Sequence, residues 1–333
     1  MAETFEDPAR RLEELAEAME PKFRARFLAV IATIKDAMSL ENIQKLLQAG
    51  LVDEALVTAE VAALRMSSTF TEVVIISGEA TAAVIGDALQ IIVEFDHLNR
   101  GALDVMTQNK LRLVEGFVEE QKRATREALI DGIQRGLNPV EQARNFRDSI
   151  GLTEYQQKII NNYRRQLQTL DRDLFDRALR DKRFDSTVRR AIEEGQNLTP
   201  AQIERMVDRY REKWIKYRSE VIARTEALRA VHAGNHEMYR QAVERGDLDI
   251  NDLVRTWDTS KRPNVRDSHR FMEGQQRRLD QPFLSGLGNA LMVPGDMNAP
   301  AADTVECKCA VTTRFTNAAK EAANAVLTSA QPF

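Results

Sequence analysis

Cysteine is nearly absent, with two residues in 333, Cys307 and Cys309, separated by a single lysine. That excludes a disulfide framework. Neighbours at i and i+2 on a strand face the same side, and a bridge between them is strained. A reducing cytoplasm is therefore the expected origin of the chain. Glycine (15) and proline (9) are few, and five of the nine prolines fall after residue 260, so most of the chain carries no frequent breakers of helix. No apolar run is long enough for a bilayer. The most apolar stretch, Thr81 to Phe95, is interrupted by Asp87 and Gln90 and reads as a buried helix. The opening MAETFEDPARR has no basic segment followed by an apolar one, so no secretory signal is expected. Neither sign of charge dominates. A net charge of −4 and a pI near 5.8 argue against a bulk nucleic-acid coat protein, though they leave room for a local basic stripe. A fixed-period repeat is also missing, which disfavours a solenoid. So are a Walker motif and a Gly-x-Gly-x-x-Gly after a strand, which removes the commonest nucleotide sites.

What is present is a mixture of 43% apolar and 29% charged residues, the composition of a soluble globular chain long enough for two cores. From Pro8 to about Ile250 the pattern is helical almost throughout. Leu12, Leu15, Met19, Phe23, Phe27, Ile31, Ile34 and Met38 recur at three- and four-residue steps, the mark of an amphipathic helix. Pro21 predicts a kink or a fresh start within it. Ser39 is a candidate N-cap for a short helix ending near Gly50, with Glu41 in its first turn. Further helices are expected over 53–66, 78–95, 98–136, 140–150 and 155–170, with a break at Ser67-Ser68-Thr69. Gly195, Thr199 and Pro200 announce a stop and a new start. The next helix, Ala201 to about Arg245, would measure about 65 Å, with Gly234 as its weak point.

Between Asp171 and Arg190 arginines alternate with aspartates 171, 173, 176, 181 and 185. One reading is a solvated helix surface laced with i,i+4 pairs. The other is contact with DNA phosphates, weakened because the interleaved acids cancel the field.

After Gly246-Asp247 glycine and proline become frequent and short strand-like runs appear: Leu253 to Trp257, Leu291 to Val293 and Cys309 to Phe315. The expected fold is mainly α with a C-terminal α+β domain. Residues 1–200 form a helical N-terminal region, 201–245 a long connecting helix, 219–315 the mixed domain and 316–333 a loose tail.

Two groups of residues have the types that chemistry needs. His232 and His236 are four apart on a helix and could meet one ion. The glutamate of a zinc-protease helix is absent between them, and the plain alternative is hydrogen-bonded helix histidines. The second group is Cys307, Cys309 and His269, three ligands of the kind zinc prefers, with Asp258 or water to complete a tetrahedron. Zinc there would staple a small, loop-rich domain. The alternative is two small buried thiols and a turn-capping histidine. A Cys/His nucleophile and base is a third arrangement, but no oxyanion hole or Gly-rich elbow accompanies it. An enzyme is not the expected function.

The stretch from Ile222 onward resembles the Mu F-like family of phage minor head proteins, also called head morphogenesis proteins. Ala223-Arg224-Thr225-Glu226 is similar to its Ala-Arg-Thr-Glu signature. Asn235 falls where a small-polar pair is common, and Trp257-Asp258-Thr259 resembles a Trp-x-x-x-Asp region in shortened form. Arg262, Arg266, His269 and Gly274 resemble an Arg…His…Gly run, and Phe283 the aromatic after Asp-x-Pro. Pro294-Gly295-Asp296 and Pro300-Ala301-Ala302 resemble its proline turns, and Glu306-Cys307-Lys308-Cys309 the closing Asn-Cys-Arg-Cys. The chain departs in that closing motif, and it has no histidine shortly before the cysteines.

The resemblance covers about Ser219 to Phe315. It implies a low-copy capsid component in the virion, inside the head near the portal vertex, present in the host cytoplasm during assembly. The implied partners are the portal protein and other capsid proteins, in an oligomeric assembly, with double-stranded DNA as a non-specific partner and no membrane. A DNA-contacting ejection protein delivered with the genome is the alternative. A metal-dependent nuclease or toxin-like enzyme is a third, opposed by the lack of paired acidic metal ligands near His269. Within the signature, Arg224 is expected to pair with Glu220 one turn earlier, and the Arg-Thr-Glu triplet to act as structural glue.

Overall fold

The computed structural model describes residues 8–51 and 53–316. The chain is mainly helical, with a few short antiparallel strands near its C-terminal end. The helices are α1 (Pro8–Ala37), α2 (Leu40–Gln48), α3 (Val57–Leu89), α4 (Arg100–Gln134), α5 (Pro139–Asp148), α6 (Glu154–Thr169), α7 (Asp185–Glu194) and α8 (Pro200–Arg245). The mixed part follows as β1 (Leu253–Asp258), α9 (Asp267–Arg270), β2 (Gln276–Arg277), β3 (Phe283–Leu284), β4 (Ala290–Leu291), α10 (Ala301–Thr304) and β5 (Ala310–Phe315). Among the described residues no helix is long and apolar enough to cross a membrane. The tail expected beyond Thr316 lies outside the described residues.

The described residues divide into two units. One comprises those up to Arg26, Met66–Arg112 and those from Val221 on. Its core joins Phe70, Val73, Val74 and Ile85 of α3 to Ala223, Ala227, Val231 and Met238 of α8. Trp257, Phe283, Leu291 and Val311 of the mixed part complete it. β1 is the central strand of an antiparallel sheet ordered β2-β1-β5, and β3 pairs with β4. In β1 burial alternates, so Leu253, Arg255 and Trp257 face inward and Val254, Thr256 and Asp258 the other way. The inward Arg255 is satisfied by backbone. Its guanidinium donates to the carbonyls of Arg278, Gln281 and Met292 and lies over the Phe283 ring at 5.0 Å. Burial pulls its pKa down to about 10.

The other unit comprises Phe27–Arg65 and Leu113–Glu220. Here the helix ends are written in the sequence. Ser39 accepts from the Asn42 amide, while Asn138/Glu141 and Thr153/Gln156 form complete capping boxes. One core gathers Tyr163, Leu167, Val188, Val207 and Tyr210. The rings of Tyr163 and Tyr210 sit 4.4 Å apart, and Tyr210 meets Trp214 edge-on at 6.1 Å.

Several expectations are corrected. α1 runs as one helix through Pro21, so the fresh start does not occur there, and Ala16 before it and Phe23 after it are both buried. The break at Ser67-Ser68-Thr69 does not occur. α3 continues through it, with Ser67 and Thr69 buried. The helix expected to reach Phe95 stops at Leu89, where Gln90 takes a left-handed conformation. The chain then folds back and sets the Phe95 ring where a side chain on Gly78 would stand, 2.5 Å from an ideal Cβ. The stretch 171–184 is not a helix surface. It is made of tight 3-10 turns, and its charges pair across them, Arg180 with Asp185 at 3.0 Å and Arg183 with Asp181 at 2.6 Å. Gly234 is no weak point. α8 passes through it unbroken, and an ideal Cβ there would lie 2.3 Å from the Val74 carbonyl oxygen of α3. The glycine permits close helix packing.

Candidate functional site

α9 is a single turn that buries His269 against Trp257, whose ring it meets edge-on at 5.9 Å. The imidazole Nδ1 lies 3.6 Å from Cys307 Sγ and 3.3 Å from Cys309 Sγ. These three residues, all buried, form the one group of candidate metal ligands found among the described residues, with ligand atoms within 4.8 Å of one another. The cysteines lie just before β5 and not on a strand, so the strand alternation expected of them does not apply. They precede β5 in an irregular turn entered through Glu306, which is left-handed at φ 54. The turn lets the Cys309 amide donate to Cys307 Sγ at 3.4 Å.

Asp258, the expected fourth ligand, is not in the group. It occupies the face of β1 opposite Trp257, and its Oδ2 accepts from the Thr312 hydroxyl at 2.8 Å. The carboxylate that faces the histidine belongs to Asp303 of α10, with Oδ1 at 3.6 Å from His269 Nε2. Asp303 is fully buried. It accepts from Ser268 Oγ at 3.0 Å, Ser285 Oγ at 2.9 Å and Asn289 Nδ2 at 2.8 Å. Sequence reasoning missed it. An acid in the first turn of a one-turn helix looks like a dipole partner, and nothing in its spacing links it to residue 269.

The charges follow from these contacts. Burial alone would raise Asp303, but the amide and the two hydroxyls hold it below the usual carboxylate range. Burial pulls His269 down, yet the neighbouring Cys307 and Asp303 outweigh it and the net shift is upward. Cys307 is lowered to about 5, chiefly by the hydrogen bond from the Cys309 thiol and then by His269, against the cost of burial. Cys309 is pushed up by the same contact and by burial.

The residues of the Ala-Arg-Thr-Glu stretch are used to hold this turn. Thr225 Oγ1 accepts from the Glu306 amide at 3.1 Å and donates to the Val221 carbonyl at 2.8 Å. Arg224 reaches the Glu306 carboxylate at 3.3 Å. Arg266 donates to the Val305 carbonyl. Glu226 pairs with Arg229, whose Nε donates to the Gly295 carbonyl at 2.7 Å. Gly274 (φ 73) closes the turn after α9, donating to the Trp257 carbonyl at 2.8 Å. Asn235 serves elsewhere, donating to Thr81 Oγ1 at 3.0 Å. His232 and His236 join no ligand group among the described residues. His236 instead has the Arg255 guanidinium 3.5 Å from its Nδ1, which repels a cation.

Beside the cysteines opens a cavity of about 290 Å³, into which Glu17, Glu20, Arg224, Arg266 and Lys308 project along with the cysteine–histidine group. Burial raises Glu20 despite the cations Arg224 and Lys308 near it.

Residues 182–312 match the model of a family described as Phage Mu protein F like protein. No curated protein and no solved structure matches the chain.

Proposed function

We propose, taking residues 182–312 as a phage Mu F-like region, that the chain is a minor head protein of a tailed phage, with an assembly role inside the head near the portal vertex. One observation favours a structural role over turnover: the signature residues Arg224, Thr225, Glu226 and Arg266 are spent on hydrogen bonds and ion pairs within the fold. Arg224, Thr225 and Arg266 hold the turn that carries the cysteines. The arginine-rich stretch 171–190 supports protein partners over naked DNA, because Asp181 and Asp185 already engage Arg183 and Arg180.

Co-expression with the portal protein of the same phage, followed by gel filtration with mass measurement, tests this reading. A stoichiometric complex is expected. A free chain that binds DNA tightly, with affinity falling steeply with salt, would replace it with a DNA-associated ejection protein.

A further inference from the structure

We propose that His269 Nδ1, Cys307 Sγ and Cys309 Sγ bind one zinc ion, with a water from the adjoining cavity in the fourth position and Asp303 orienting the imidazole from behind. The geometry carries it. Around tetrahedral zinc, sulfur at about 2.3 Å and nitrogen at about 2.0 Å stand roughly 3.6 Å apart. The two separations here are 3.6 and 3.3 Å. One ring nitrogen faces both sulfurs at once. A single N–H could serve only one of them, whereas an ion serves both.

The far side of the ring agrees. His269 Nε2 is buried without a hydrogen-bond partner and looks at Asp303 Oδ1. When a metal takes Nδ1, the proton must sit on Nε2, and a carboxylate is its usual acceptor. Asp303 is held for that task by Ser268, Ser285 and Asn289. The Cys309 amide aimed at Cys307 Sγ suits a sulfur that carries charge. Two thiolates and an imidazole select zinc over harder cations. The ligands come from α9 and from the turn before β5, so the ion would tie together two segments separated by about forty residues of short strands and loops.

The test is metal analysis of the full chain, purified under reducing conditions without chelator. The expected result is close to one zinc per chain. Replacement by cobalt should give the visible spectrum of a tetrahedral ion with a thiolate charge-transfer band. Cys309→Ser should cut that band by about half, in proportion to the thiolates left. Because a ligand variant can fail to fold, Asp303→Asn is the second probe. It should still bind one zinc at saturation but about 10–100-fold more weakly in chelator competition. A folded wild-type chain with no metal and no thiolate–cobalt band would overturn the proposal. So would unchanged zinc affinity in Asp303→Asn together with an undiminished band in Cys309→Ser.

Discussion

The two units are held by different means. In the unit of Phe27–Arg65 and Leu113–Glu220, helices begin where a capping residue stands and pack through apolar and aromatic faces. In the unit that contains the C-terminal strands, β2, β3 and β4 are only two residues long, and the path of the chain around them depends on polar side chains reaching backbone carbonyls and amides. Arg255 binds three carbonyls, Arg229 binds Gly295, Arg266 binds Val305, and Asp296 takes the Met292 and Asn298 amides. Strands of two residues cannot hold a fold by their ladders, so side chains supply the missing partners. Deletions should therefore be costly and non-local in the second unit, and cheap and local in the first.

The largest expected effect tests that directly. Arg255→Met keeps most of the volume but strands three carbonyls that the buried guanidinium holds, so it should destabilise by about 3–5 kcal/mol in chemical denaturation. A loss under 1 kcal/mol would show that the polar scaffold is dispensable. Next is Gly234→Ala, which sets a methyl against the Val74 carbonyl and should cost about 2–3 kcal/mol. Faster hydrogen exchange should appear in the α3 segment that contains Val74. Unchanged stability would mean that α8 yields easily there.

The third prediction concerns pH. His236 is pushed down to about 3, first by loss of water around the ring and then by Arg255 and Arg240. The unfolded chain takes up a proton at about 6.5 while the folded chain refuses it, so stability is full above that pH and declines as pH falls towards 3. The loss attributable to His236 should reach up to about 2 kcal/mol by pH 5. His236→Gln should lessen the slope of the stability profile between pH 6.5 and 5, leaving the part due to His232, which burial lowers to about 4, and an identical slope in that variant would remove His236 from the account. The smallest effect belongs to the other unit. Asn138→Ala removes half of a capping box and should cost about 1 kcal/mol, with faster exchange confined to the first turn of α5.

Legibility in the sequence divides along the same line. Ser39 announces its helix because a cap and the amide it holds lie three residues apart along the chain. Where local structure depends on what packs nearby, the sequence misleads. Ser67 to Thr69 looked like a break, but hydroxyls and small side chains are tolerated inside a helix buried by its neighbours. Gly234 looked like a weak point because the sequence does not show the carbonyl that presses on it. At the site, the two cysteines and His269 are legible as ligand types. Arg224 and Thr225 in fact meet Glu306, eighty residues on.

By itself the sequence determined the mainly helical class, the ends of the capped helices, the change of character after Gly246 and the family resemblance of the C-terminal part. These rest on periodicity, caps and motif order, which are properties of residues near one another along the chain. Only the tertiary structure decided that His269 meets both sulfurs, that Asp303 and not Asp258 stands by it, and that Gly234 is a packing point. Those facts depend on where irregular turns such as the left-handed Glu306 send the chain, and such paths are set by buried contacts between residues far apart in sequence.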